Sequence, residues 1–114
     1  MGAVYLAHDT RLGRDVALKT PKIDDSTDQE IIERFQREAR SAAVLHHRNL
    51  CPVFDVGEIN GIHFLTMAYI DGISLTSLVS ESKPLSDRQV ASIVRKLAIA
   101  LQEAHSHSVV HRDL

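Results

Sequence analysis

Short apolar runs near the start of the chain predict two β-strands. Residues 3–8 and 15–19 are rich in β-branched and aliphatic side chains, and the polar segment between them ends near Gly13. Two such runs joined by a tight polar connection favour a hairpin. Pro21 ends the second strand, because proline has no N–H to donate to a neighbouring strand.

A helix is predicted next, because apolar residues recur at helical spacing. It begins at a capping-box sequence formed by Thr27 and Glu30 and extends to about Leu45. The apolar stripe consists of Ile31, Ile32, Phe35, Ala39, Ala42, Ala43 and Leu45. The opposite side carries charged pairs at i,i+4 spacing, which we expect to face solvent.

The remaining pattern predicts a second hairpin and two more helices. Strands over residues 52–58 and 63–69 flank Asn60-Gly61, a strong hairpin signal between apolar runs. A short helix is expected near residues 74–80, followed by a long amphipathic helix over residues 86–107. This order predicts an α+β fold, in which a small antiparallel sheet with one helix precedes an all-α portion.

The long helix has its own start signal and a clear apolar side. Ser86 and Gln89 have the spacing of a second capping box. The apolar side consists of Val90, Ile93, Val94, Leu97, Ala98, Leu101 and Ala104. Residues 109–114 predict a strand or loop.

Composition limits the function classes. Of 114 residues, 44% are hydrophobic and 25% charged, which is typical of a globular protein, and the net charge of −2 gives no basic excess for binding nucleic acid. No apolar run approaches the roughly 20 residues of a membrane helix. The mixed charges of residues 1–20 also exclude a signal peptide. The sequence therefore favours a cytoplasmic location, which leaves open a membrane anchor in flanking sequence.

Cysteine and histidine give no sign of a disulfide or a metal site. Cys51 is the single cysteine, so no internal bridge can form, and its place at the start of a strand favours buried packing over reactivity. The histidine pairs His46-His47 and His105-x-His107 lack a second ligand set at zinc-like spacing.

Glu38 and Lys19 are unusual for their positions. Glu38 lies three residues after Phe35 and four before Ala42, which places a carboxylate within the apolar stripe. A charge facing a core is costly unless it meets an opposite charge. Lys19 stands in an otherwise apolar strand, on the same face as Ala17. Two interpretations stay open at this point: a buried ion pair, or two side chains that both reach solvent at the sheet edge.

Several segments together resemble the protein kinase signature set. Gly2-Ala3-Val4, Val16-Ala17-Leu18-Lys19 and His111-Arg112-Asp113-Leu114 occur in the order of that family's motifs. Residues 34–39 look like its C helix, and residues 67–72 look like the hinge between its lobes. The chain resembles a bacterial-type serine/threonine protein kinase over its whole length.

This resemblance implies an ATP site. Gly2 matches the last glycine of the glycine-rich loop, and Lys19 would hold the α- and β-phosphates. The backbone of Ala68 and Ile70 would pair with the adenine edge. The nucleotide-binding residues that the resemblance implies are Gly2, Val4, Ala17, Lys19, Met67, Ala68 and Ile70.

It also implies catalytic and regulatory roles. Asp113 would accept the proton of the attacking hydroxyl, and Glu38 would orient Lys19. Arg112 would be regulatory, as the partner of a phosphorylated loop. His111 would be a core residue beneath the catalytic loop. ATP and a protein substrate are the expected partners, and the ligands of Mg²⁺ would lie outside this chain.

The expected architecture is part of a kinase domain over residues 1–114. Residues 1–70 would form the small lobe without its first strand, and residues 71–114 the hinge exit, a short helix, a long helix and the start of the catalytic loop. We therefore expect the 114-residue chain to be inactive alone and its long helix to lack a partner. Three alternatives remain: a pseudokinase or nucleotide sensor, a small-molecule phosphotransferase, and a non-catalytic interaction remnant.

Overall fold

Four strands form one antiparallel sheet in the part of the chain that the computed structural model describes, residues 2–22, 29–79 and 83–111. Their order across the sheet is β1-β2-β4-β3, so that β2 and β4 lie at its centre. The strands are β1 Val4–Asp9, β2 Arg14–Lys19, β3 Val53–Ile59 and β4 Ile62–Ala68. The helices within the same ranges are α1 Gln29–Ala43, α2 Leu75–Val79 and α3 Asp87–Ser106. The predicted α+β order is confirmed.

Both predicted hairpins form, and their turns show why. In the β1–β2 turn, the Asp9 carboxylate accepts hydrogen bonds from the backbone N–H groups of Arg11 and Leu12, at 3.0 and 3.2 Å. In the β3–β4 turn, Asn60 and Gly61 have φ values of 52° and 78°. A two-residue turn with both residues in the left-handed region matches the twist of the flanking strands.

Helix α1 packs on the sheet beside β3. Ile32 and Ala39 are its buried residues, as the stripe predicted. The helix ends at Ala43, two residues before the predicted end, yet Leu45 is still buried, at 8% exposure. Thr27, half of the predicted capping box, lies outside the described residues.

Helix α3 begins at the predicted capping box. The Ser86 hydroxyl accepts a hydrogen bond from the Gln89 backbone N–H at 3.2 Å, and the Gln89 side chain accepts one from the Ser86 N–H at 2.9 Å. Ala100 and Ala104 are the buried residues of this helix. Val90 and Val94 are exposed, and they line an open apolar groove with α2. The apolar side of α3 is thus largely in solvent, as expected.

Two expectations about burial are wrong. Cys51 is exposed and precedes β3 by two residues, because the strand begins at Val53. His111 is exposed and follows α3 in an irregular segment. In the described ranges, none of the helices has the length and apolar character to cross a membrane.

Candidate functional site

The register of β1, β2 and β4 brings together residues from separate sequence motifs. Val4 on β1 is directly opposite Lys19 on β2, and Ala17 on β2 is opposite Met67 on β4. Directly opposite residues of antiparallel strands project from the same face of a sheet. Val4, Ala17, Lys19 and Met67 therefore lie on one face, although they are up to 63 positions apart in the chain.

Glu38 does not form the buried ion pair with Lys19. Glu38 is exposed, Lys19 is half-buried, and no salt bridge joins these two described residues. The cause is the rotation of the helix. Successive residues of an α-helix are about 100° apart, and Ala39 occupies the centre of the buried side. Glu38 therefore projects from the flank, and the solvent interpretation holds for its side chain.

A polar contact that sequence reasoning missed joins α1 to the sheet. Gln36 Nε2 lies 3.3 Å from His63 Nδ1, and the two side chains are partly buried. On the other side of the imidazole, His63 Nε2 lies 3.7 Å from Glu58 Oε2. The spacing of Gln36 from Ile32 and Ala39, four and three residues, was a usable signal, because it places an amide at the edge of the apolar stripe.

The end of β4 presents a backbone carbonyl with an unusual donor. The Ala68 N–H donates to the Pro52 carbonyl at 3.0 Å, but Pro52 has no N–H to return to Ala68. The Cys51 thiol donates to the Ala68 carbonyl instead, at 3.4 Å. Although Cys51 is exposed as a whole, desolvation by partial burial raises the pKa of its thiol. The thiol therefore stays protonated at neutral pH.

Gly2 lies where no side chain fits. A Cβ at this position would collide with the backbone carbonyl of Thr20, the residue after Lys19. The neighbouring backbone is held in place because the Thr20 N–H donates to the Ala3 carbonyl at 2.9 Å. Glycine is thus required here by close backbone packing at the end of β2.

The other predicted site residues are less enclosed than Gly2. Ile70 is 67% exposed, just beyond β4, and Val4 is 61% exposed. Arg112 and Asp113 lie outside the described residues. The candidate site is consequently an open surface at the ends of β1, β2 and β4 rather than a closed cavity.

This fold matches that of known protein kinases. The protein kinase domain model matches residues 1–114, so the chain belongs to the protein kinase family. The serine/threonine-protein kinase PrkC of Bacillus subtilis is 38% identical over 114 residues, which are 100% of this chain and 18% of that protein. PknD of Mycobacterium tuberculosis, also a serine/threonine-protein kinase, is 44% identical and is covered over 17% of its length.

The solved structures agree with the sequence relatives. The crystal structure of the PknI kinase domain of Mycobacterium tuberculosis superposes with a TM-score of 0.83 at 36% identity. The match covers 100% of this chain and 46% of that one. This chain therefore corresponds to just under half of the matched kinase-domain structure.

Proposed function

We propose that this chain supplies the nucleotide-binding part of an ATP-dependent protein kinase that phosphorylates serine or threonine hydroxyls. The observation that carries the proposal is the register that puts Val4, Ala17, Lys19 and Met67 on one face of the sheet. These positions are the ones that the kinase motifs assign to nucleotide binding.

The described residues fit an adenine nucleotide at two places. The Ala68 carbonyl is bonded only weakly, because a thiol is a poor donor, and it can accept a hydrogen bond from the adenine amino group. Lys19 lies on the same face, two residue pairs beyond Ala17 and Met67, where its ammonium group can reach phosphate oxygens. The chain offers an acceptor for one end of the nucleotide and a cation for the other.

ATP, with the Mg²⁺ that kinases use, supplies the phosphoryl group when bound. Lys19 would hold and orient the phosphates as a point charge, and Glu38 would orient Lys19. Asp113 would accept the proton of the attacking hydroxyl and align its oxygen. Val4 and Ala17 would exclude water from the adenine ring.

The test is made in the complete kinase that contains this chain. We expect Lys19→Met and Asp113→Asn each to lower the rate of phosphoryl transfer by at least about a hundredfold. Asp113→Asn should leave ATP affinity almost unchanged. Exposed Lys96 on α3 provides a matched control, since Lys96→Met should not change the rate. A wild-type protein that binds ATP without phosphoryl transfer would favour the pseudokinase alternative instead.

A further inference from the structure

The Ala68 carbonyl lies where the pairing of β4 with the chain before β3 loses a donor. The Ala68 N–H donates to the Pro52 carbonyl at 3.0 Å, and in a regular antiparallel pair the same partner would return a hydrogen bond to the Ala68 carbonyl. Proline has no N–H, so this carbonyl is left for another donor. The Cys51 Sγ lies 3.4 Å from the Ala68 oxygen and takes that role.

Strand register also places Cys51 on the face of the sheet that the proposed function assigns to the nucleotide. Val53 is directly opposite Met67, so the two side chains share a face. The pairing continues to Pro52, whose carbonyl accepts from the Ala68 N–H. Because side chains alternate along an extended chain, Cys51 projects from the same face as Val53. This placement beside the proposed adenine position does not depend on the thiol hydrogen bond.

Two donors are thus directed to one oxygen atom. The Ala68 carbonyl is the acceptor that the proposed function gives to the adenine amino group, and it already accepts from the Cys51 thiol. Adenine must either replace the thiol or divide the carbonyl with it. In both cases the strength of the donor at position 51 enters the free energy of adenine binding. A thiol is a weak donor, so its effect is smaller than that of a hydroxyl.

We infer that Cys51 is a specificity-determining residue of the nucleotide site, because its thiol and the adenine amino group donate to the same carbonyl oxygen. A stronger donor at position 51 would reduce the preference for a purine that carries the amino group. A side chain without a donor would increase that preference. This inference rests on the proposed function, in which Ala68 accepts a hydrogen bond from adenine, and it adds the side chain that tunes this bond.

The first experiment compares two nucleotides on the complete kinase that contains this chain. ATP carries the amino group, whereas purine riboside triphosphate has a hydrogen atom in its place. The ratio of their dissociation constants therefore isolates the contribution of the amino group. Calorimetric titration gives this ratio for the wild type, Cys51→Ser and Cys51→Ala. A difference in packing between the variants affects both nucleotides and cancels in the ratio.

The preference for ATP should fall as the donor at position 51 becomes stronger. Cys51→Ser supplies a hydroxyl and should lower the preference by about fivefold, whereas Cys51→Ala removes the donor and should raise it by about twofold. Ser92→Ala, which removes an exposed hydroxyl on α3, is the matched control and should leave the preference unchanged. Equal preferences in the wild type and both Cys51 variants, or the reverse order, would overturn the inference.

A measurement on the unaltered thiol tests the competition directly. The infrared difference between the wild-type kinase and Cys51→Ala isolates the S–H stretching band of Cys51. A hydrogen-bonded thiol absorbs at a lower frequency than a free thiol, so the band should move to higher frequency when ATP binds. Purine riboside triphosphate brings no amino group and should leave the band in place. The exposed thiol that Ser92→Cys introduces on α3 should respond to neither nucleotide.

The outcomes for the two nucleotides separate this inference from the proposed function. ATP that binds without moving the Cys51 band would overturn the inference and leave the proposed function intact. A complete kinase that binds neither nucleotide would refute the proposed function, and the inference with it.

Discussion

Ala68 shows how one proline just before a neighbouring strand leaves a backbone carbonyl without its regular donor. In a regular ladder, the residue that accepts from the Ala68 N–H would also donate to the Ala68 carbonyl. Pro52 accepts but cannot donate, and the Cys51 thiol takes the vacant place at 3.4 Å. A thiol is a weak donor, so the adenine amino group of the proposed function would replace or share this hydrogen bond at low cost.

The Cys51 thiol should lose its proton at a higher pH than a free thiol does. Its partial burial disfavours the thiolate, which raises the pKa of the thiol. At any given pH a smaller fraction is thiolate, so the rate of alkylation by iodoacetamide should rise only at more alkaline pH. The control is the exposed thiol that Ser92→Cys introduces on α3 in a Cys51→Ser background. Coincident pH–rate profiles would show that Cys51 is an ordinary surface thiol.

At the scale of elements, the β3–β4 hairpin sets the register of the proposed site. Its turn fixes Ile59 opposite Ile62, and this register continues along β4 to place Met67 opposite Val53 across an irregularity near Asp55. Because a shift by one residue moves every side chain to the other face, the turn determines which face of the sheet Met67 occupies.

Gly61→Ala should therefore destabilise the hairpin. Gly61 has a φ of 78°, which an alanine adopts at a cost of about 1–2 kcal/mol. In thermal unfolding of the complete kinase domain, the Gly61→Ala variant should have a lower melting temperature than the wild type. Gly72→Ala is the matched control, since a Cβ there makes an ordinary contact with Ile70 and the backbone is unstrained. Equal melting temperatures for the two variants would contradict the importance of the turn.

The elements also show which features a sequence can predict. Asn60-Gly61 and the Ser86–Gln89 capping box are local signals, because neighbouring residues satisfy them, and both were confirmed. The rotation of α1 is not local. Helical spacing correctly grouped Ile32 with Ala39, but the width of the buried side depends on what the helix packs against. Glu38 therefore lies outside the buried side of α1.

Lys19 illustrates the same limit at the site. Strand alternation predicted which face of β2 carries Lys19. Its neighbours Val4 and Leu65 could not be predicted in this way, because they depend on the strand order β1-β2-β4-β3. In that order β4 pairs with β2, although the two strands are far apart in the sequence. The roles of these residues came from the family resemblance. The Gln36–His63 contact needed both the strand order and the rotation of α1.

For the whole molecule, the two halves of the chain differ in how much they bury. The sheet buries Val16 and Leu65 and α1 buries Ile32 and Ala39, each with at most 7% exposure. Helix α3 buries two alanines, whereas its larger apolar residues lie in the open groove beside α2. The described helical part therefore presents an apolar surface of the kind that promotes association.

The 114-residue chain expressed alone should associate through this groove and should not transfer phosphate. Val94 is 56% exposed within the groove, so Val94→Gln should shift the chain towards monomer in analytical ultracentrifugation. The same change from an apolar residue at the exposed hairpin tip, Ile59→Gln, is the control, because Ile59 lies outside the groove. Phosphoryl transfer should stay undetectable in all three proteins, since the chain covers 46% of the matched kinase-domain structure. A monomeric wild-type chain, or equal effects of the two substitutions, would show that the groove does not drive association.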